Sequence, residues 1–128
     1  TFPKKYKAST LSQPKASQLV LQLQDLLEKE AIYLNYDLKI GDLATQLKVS
    51  IQHLSQTINQ ELDTNFRGLI NQYRIQYSMQ LMETKKGKWN LKEIAFQSGF
   101  NNKTTFATAF KKVNGSTPSQ YLEQLKAK

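Results

Sequence analysis

The 128-residue sequence has no cysteine, a single histidine, three prolines and five glycines. Without cysteine there can be no disulfide bond, no thiolate zinc site and no cysteine nucleophile. The sequence also contains no HExxH motif and no glycine-rich phosphate loop, so the usual catalytic machinery is missing. We therefore expect neither an enzyme nor a protein that holds a metal or a cofactor.

Long apolar runs are missing as well. None approaches the roughly 20 residues that a membrane-spanning helix needs, and no signal-peptide pattern opens the chain. Because the lack of cysteine also fits a reducing compartment, we expect a cytoplasmic location. Residues 1–14 are polar and basic, which is typical of a tail or linker. The chain starts at Thr1 rather than at methionine, so we expect part of a longer protein, preceded either by a ligand-binding domain or by a membrane segment that would tether it.

Acidic residues are scarce in the second half of the chain. Residues 1–63 contain seven lysines and seven acidic residues, whereas residues 64–128 contain eleven lysines and arginines against three acidic residues. The whole net charge of +8 therefore lies in the second half. This asymmetry favours a polyanion or an acidic surface as partner, although a basic face that only maintains solubility would give the same count.

Strand signals are almost absent, and apolar residues recur at helical spacing along most of the chain. We therefore expect an all-α fold of about seven helices. Ser50, Asn90 and Thr117 have the side chains and positions of helix N-caps. The predicted helices cover approximately residues 15–33, 40–47, 51–63, 65–84, 91–98, 102–113 and 118–125.

An internal repeat organises this pattern. Residues 40–59 align with residues 91–110, and each copy predicts a helix, a tight turn and a second helix, which is a helix-turn-helix unit. The predicted helix over 65–84 joins the two copies, and about 20 residues at about 1.5 Å each span roughly 30 Å. That length is close to the roughly 34 Å of one DNA turn, so the two second helices could read successive major-groove segments.

The second copy carries a specific resemblance to a known family. The segment "IAFQSGFNNKTTFATAFKKVNGSTPSQY" resembles the signature of AraC/XylS-type transcription regulators. The matching residues are Ile94, Ala95, Gly99, Phe100, Phe106, Phe110, Lys111, Lys112, Gly115, Thr117, Pro118 and Tyr121. The resemblance covers about residues 17–125.

The resemblance implies a C-terminal DNA-binding output domain over residues 15–128, after a basic tail over 1–14. Within it, the first helix-turn-helix unit is expected at about 40–63, the linker helix at about 65–84 and the second unit at about 91–113. The implied partners are double-stranded promoter DNA, RNA polymerase and an N-terminal sensor or dimerisation region of the same full-length chain.

Base-reading candidates follow from the exposed faces of the two recognition helices in the family. Glutamine suits the N6 and N7 atoms of adenine, lysine can donate to O6 and N7 of guanine, and a threonine methyl can touch the thymine methyl. Neither predicted recognition helix carries the arginine found in many relatives, and Thr105 is expected to be partly buried beside Ala109. The candidates are Gln52, His53, Ser55 and Gln56 in the first unit and Lys103, Thr104, Thr105 and Thr108 in the second.

Candidates for contact with the DNA backbone are three predicted caps and three cations. A capped helix N-terminus can face a phosphate, and cations attract phosphates without regard to sequence. The residues are Ser50, Asn102, Thr117, Arg74, Lys111 and Lys112. Without the motif, the base-reading candidates Lys103, Thr104 and Thr108 would be read as an ordinary solvated helix face.

One alternative function is a basic helical module that docks an acidic protein or an anionic membrane surface. A membrane-surface helix needs bulky apolar residues exposed along one long basic face. The periodicity instead assigns all the bulky apolar residues to a helical core, which favours DNA as the partner.

Overall fold

The computed structural model describes residues 14–85 and 88–127, and within these ranges it contains seven α-helices, one short 3-10 helix and no β-strand. The prediction of an all-α fold with about seven helices is confirmed, whereas the predicted tail up to residue 13 lies outside the described residues. None of the described helices is both long enough and apolar enough to cross a membrane. The elements are α1 (Pro14–Glu30), the 3-10 helix (Ile32–Leu34), α2 (Ile40–Leu47), α3 (Ile51–Leu62), α4 (Phe66–Lys85), α5 (Leu91–Gln97), α6 (Lys103–Asn114) and α7 (Pro118–Lys126).

The chain forms two compact units that divide inside α4, between Ile70 and Asn71. We call the first of them unit 1; it contains α1, α2, α3 and the start of α4. Unit 2 contains the rest of α4 with α5, α6 and α7. The helix α4 itself is continuous over its 20 residues.

The core of unit 1 is built where α1 packs against α2 and α3. The helix α1 ends earlier than the predicted Tyr33, because Ala31 adopts the left-handed conformation with φ 50°. A left-handed residue cannot continue a right-handed helix, and the chain passes into the 3-10 helix instead. The buried apolar residues of the three helices are Leu19, Val20, Leu23, Leu27, Leu43, Ala44, Leu54 and Ile58.

Unit 2 has a core of stacked aromatic side chains. The ring centroids of Phe100 and Phe106 lie 5.4 Å apart, those of Phe106 and Phe110 5.8 Å, and those of Phe110 and Tyr121 5.6 Å. These are tilted or edge-on pairs, the arrangement that aromatic quadrupoles favour. The Tyr121 hydroxyl donates to Glu83 Oε2 at 2.9 Å and so joins α7 to α4. Burial, and then the bond to Glu83, raise the pKa of Tyr121 to about 12.

Side-chain caps fix the starts of α3, α5, α6 and α7. Each cap oxygen accepts a hydrogen bond from the backbone N–H three residues later, which satisfies one of the donors left unpaired at a helix start. The predicted caps are therefore confirmed. The bonds run from His53 N to Ser50 Oγ (3.0 Å), Glu93 N to Asn90 Oδ1 (2.9 Å), Thr105 N to Asn102 Oδ1 (2.7 Å) and Gln120 N to Thr117 Oγ1 (3.1 Å).

Not every bulky apolar side chain is buried, so the expectation that the core contains them all is wrong. Phe96, for example, is 49% exposed. The short helix α5 buries Ile94 and Ala95, and at about 100° per residue Phe96 falls on the opposite side of the helix. The exposed large apolar residues of the described ranges are Leu21, Tyr36, Ile51, Phe96 and Val113.

Candidate nucleic-acid interface

The turns of the two helix-turn-helix units each contain the same backbone hydrogen bond. In unit 1 the Val49 N–H donates to the Ala44 carbonyl at 3.0 Å, and in unit 2 the Phe100 N–H donates to the Ala95 carbonyl at 3.0 Å. These residues are equivalent in the internal repeat. The residue before each donor has a positive φ, which lets the chain reverse tightly between the two helices.

In unit 1 the helix after this turn, α3, has a polar outward face. Leu54, Thr57 and Ile58 are buried, so the opposite side of the helix faces outward. The Thr57 hydroxyl donates to the His53 carbonyl at 2.9 Å, which satisfies this buried polar side chain within the helix. Of the four base-reading candidates on α3, three are exposed and one is half-buried. The exposed residues are Gln52, His53 and Gln56, and the half-buried residue is Ser55.

In unit 2 the corresponding helix α6 presents a polar and strongly basic face. Phe106, Ala109 and Phe110 are buried and fix which side faces outward. Thr105 is exposed, so the expectation that it is partly buried is wrong. The helix has three lysines and no acidic residue, whereas α3 has no lysine or arginine and one glutamate. The exposed base-reading candidates on α6 are Lys103, Thr104, Thr105 and Thr108.

Three of the backbone candidates surround one surface hollow of about 470 Å³ in unit 2. Lys111 and Lys112 come from the last turns of α6, and Thr117 is the residue that caps α7. Thr108, a base-reading candidate, lines the same hollow with Ala107. The residues around the hollow include two lysines and two threonines, whose side chains carry donors of the kind that bind phosphate oxygens.

Arg74 has a structural contact that the sequence did not indicate. It is half-buried on α4, and its guanidinium carbon lies 5.7 Å from the ring centroid of Phe100, the buried residue of the second turn. A cation over an aromatic face is attracted by the ring quadrupole. Arg74 therefore supports the turn that leads into α6.

Ile51, the first residue of α3, is a large apolar residue that is 53% exposed. Its spacing to Leu54 and Ile58 is that of a buried helix face, so periodicity assigns it to the core. Only its place in the first turn, directly after the Ser50 cap, indicated a different environment.

Comparisons with known proteins agree with this geometry. Residues 43–124 match the family described as a helix-turn-helix domain. The TCP pilus virulence regulatory protein of Vibrio cholerae serotype O1 is 34% identical over 105 residues, which cover 79% of this chain and 37% of that protein. The chain thus spans little more than a third of the length of this curated relative.

Solved structures of similar domains share the fold. The C-terminal domain of AraT, a response regulator from Geobacillus stearothermophilus, has a TM-score of 0.69 and 28% identity, covering 88% of this chain and 86% of that one. The C-terminal domain of the two-component response regulator yesN from Fusobacterium nucleatum has a TM-score of 0.70 and 27% identity, covering 83% and 99%. With two equivalent helix-turn-helix units and these relatives, the chain belongs to the AraC/XylS-type family, whose helix-turn-helix domains are DNA-binding parts of transcription regulators and not enzymes.

Proposed function

We propose that residues 15–128 act as one domain that binds promoter DNA sequence-specifically, with α3 and α6 in successive major-groove segments. The observation that carries the proposal is the pair of equivalent turns, each followed by a helix with a polar outward face. The N-terminal residues of such a second helix contact base edges, while the first helix braces it across the DNA backbone.

The length of α4 supports the use of both units on one duplex. A continuous helix of 20 residues is about 30 Å long at about 1.5 Å per residue. Successive major-groove segments on one side of B-form DNA lie about 34 Å apart. The helix is therefore about as long as one turn of the duplex.

The two recognition helices have different charge, which supports different roles. The lysines of α6 and the hollow formed by Lys111, Lys112 and Thr117 would supply attraction to phosphates, the main source of affinity for any DNA sequence. The uncharged amide side chains of Gln52 and Gln56 are suited to reading adenine. Affinity would therefore come chiefly from unit 2, and discrimination between bases from both units.

In the cell, the proposed domain is the output module of a longer cytoplasmic regulator. It would act together with RNA polymerase and with an N-terminal sensor or dimerisation region of the same chain. The coverage of only 37% of the Vibrio cholerae relative supports such a multidomain arrangement.

A footprint on a selected duplex tests this function most directly. A preferred sequence is first enriched from a random duplex pool with the 128-residue chain. We then expect two protected major-groove segments about 10 base pairs apart on one face of the duplex. A single protected segment, or two on opposite faces, would contradict the use of both recognition helices.

A double substitution tests the reading face of α6. Lys103→Ala with Thr108→Ala should weaken binding to the preferred duplex far more than binding to an unrelated duplex, because these side chains are assigned to base edges. Lys126→Ala with Thr84→Ala is the matched control, since both residues are exposed but lie on α7 and α4. Equal losses on both duplexes would remove Lys103 and Thr108 from base readout.

The alternative function is tested by measuring whether the same chain binds an anionic membrane surface or an acidic polypeptide. The exposed apolar residues Leu21, Phe96 and Val113 lie on three different helices, whereas a membrane-surface helix needs them along one face. We expect binding to duplex DNA to fall steeply with salt while one sequence stays preferred. Tighter binding to anionic vesicles or to polyglutamate than to any duplex would favour the alternative.

A further inference from the structure

The most exposed large apolar side chain on either recognition helix is Ile51, at the start of α3. Its exposed fraction of 53% compares with 0% for Leu54 and Ile58 on the same helix. Folding of unit 1 therefore leaves most of this aliphatic surface in water, where it contributes little to stability.

The end of the Ile51 side chain lies next to α2. Its Cδ1 atom lies 3.5 Å from the position that a Cβ atom on Gly41 would occupy, so it rests over the α2 backbone. A β-branched residue in a helix has one strongly preferred χ1 rotamer. This restriction of χ1 limits the directions in which the aliphatic group can point.

The surroundings of Ile51 are those of a base-reading surface. Ser55 lies one turn further along the same side of α3, and Gln52 is the next residue in the chain. The first residues of a recognition helix are the ones that enter the major groove. An aliphatic group there cannot bind a phosphate or a base acceptor, but it complements the one apolar group of the groove, the C5-methyl of thymine.

We propose that Ile51 is a further specificity-determining residue, whose side chain packs against the C5-methyl group of a thymine. The inference rests on the proposed function, because it requires α3 to lie in the major groove. It adds a purely aliphatic side chain to a set of candidates that otherwise consists of polar residues.

Replacing thymine by deoxyuridine tests this contact, because deoxyuridine lacks only the methyl group. Each thymine of the enriched duplex is replaced singly, and the Kd of the 128-residue chain is measured. At one thymine we expect the replacement to weaken wild-type binding about fourfold, the effect of losing one buried methyl group. The same replacement should leave the Kd of the Ile51→Ala variant unchanged, because that variant has no aliphatic group to lose the contact.

Two further variants complete the test. Leu21→Ala truncates a side chain of similar exposure (59%) on α1 of the same unit and should keep the full deoxyuridine effect. Ile51→Ser also removes every aliphatic atom beyond Cβ and should abolish the effect, and its hydroxyl is favourable near a helix start, which keeps the test valid if Ile51→Ala unfolds. Circular dichroism checks the helix content of each variant.

The inference is overturned if no thymine is sensitive to the replacement, or if the sensitivity is undiminished in both Ile51 variants. A chain that enriches no duplex sequence at all would instead overturn the proposed function, and this inference would fall with it.

Discussion

The two helix-turn-helix units reach the same turn with different residues. Unit 2 has glycine at both left-handed positions, Gly99 with φ 95° in the turn and Gly115 with φ 82° after α6. Unit 1 has Lys48 with φ 60° and Asp63 with φ 54° at the corresponding places. A side chain in the left-handed region costs roughly 1–2 kcal/mol that glycine avoids. The same turn hydrogen bond therefore forms with a strained backbone in unit 1 and with an unstrained glycine backbone in unit 2.

The units also differ in the charge of their recognition helices. The helix α6 carries Lys103, Lys111 and Lys112, whereas the only charged residue of α3 is Glu61 near its C-terminal end. Because phosphate attraction scales with the number of cations, we expect unit 2 to contribute more of the affinity for any DNA sequence. The difference between the two units can be tested by measuring the folding and the DNA binding of variants.

The largest effect is expected from emptying the core of one unit. Phe106→Ala removes a fully buried ring from unit 2 and should lower its free energy of unfolding by about 3–5 kcal/mol. Hydrogen exchange should then show lost protection in α5, α6 and α7 with protection kept in α1, α2 and α3. Val113→Ala, a truncation at an exposed position of α6, is the control. Equal loss of protection in both units would show that they do not fold separately.

The next effect separates the binding roles of the two recognition helices. Gln56→Ala should reduce discrimination between the preferred and the mutated base by about 1–3 kcal/mol, with the salt dependence unchanged. Lys111→Ala should weaken binding to all sequences alike and flatten the slope of log K against log salt by about one. Fluorescence anisotropy across a potassium chloride series measures both. If each variant showed the behaviour expected of the other, the assignment of roles to α3 and α6 would be reversed.

A smaller effect is expected from exchanging the turn residues. Gly99→Ala places a side chain at φ 95° in a buried turn and should lower the free energy of unfolding of unit 2 by about 1–2 kcal/mol. Lys48→Gly should raise that of unit 1 by about 0.5–1 kcal/mol, because relief of strain exceeds the added entropy of the unfolded chain. Urea titrations of both variants measure these changes, and Lys39→Gly, at an extended residue before α2, is a control that should not stabilise. A loss of stability in Lys48→Gly would mean that the lysine side chain makes a compensating contact.

The smallest effect concerns a polar atom in unit 2. The Ser98 hydroxyl is fully buried at the end of α5, and its oxygen has no hydrogen-bond partner within the part of the chain that the structure describes. The equivalent residue of unit 1 is Leu47. An unsatisfied buried hydroxyl is unfavourable, so Ser98→Ala should raise the free energy of unfolding by about 0.5–1 kcal/mol. The midpoint of thermal unfolding is the measurement, and Ser119→Ala at an exposed position is the control. Destabilisation by Ser98→Ala would point to a bond with a bound water.

Much of the fold could be predicted because local chemistry and periodicity agree. Ser50, Asn90 and Thr117 each stand directly before an apolar helical pattern, and each caps a helix in the structure. The end of α1 could not be predicted, since nothing in the identity of Ala31 indicates a left-handed conformation. Phe96 and Ile51 are exposed although periodicity assigns both to the core. Periodicity gives only the spacing of a helix face, and tertiary packing decides how much of that face is covered.

The candidate site could be predicted only as a set of positions. The structure gives the exposure of the residues on α3 and α6 and brings Thr108, Lys111, Lys112 and Thr117 around one hollow. Which base each side chain contacts depends on the DNA as well as on the protein, so these contacts stay predictions.

Lys48, in the turn of unit 1, affects how helix-turn-helix units can be detected in other sequences. A sequence pattern that demands glycine between the two helices would detect the copy around Gly99 and miss the copy around Lys48. Both turns contain the same main-chain hydrogen bond, from the Val49 N–H to the Ala44 carbonyl and from the Phe100 N–H to the Ala95 carbonyl. Surveys of genomes that rely on the glycine would therefore count one helix-turn-helix unit where this chain has two.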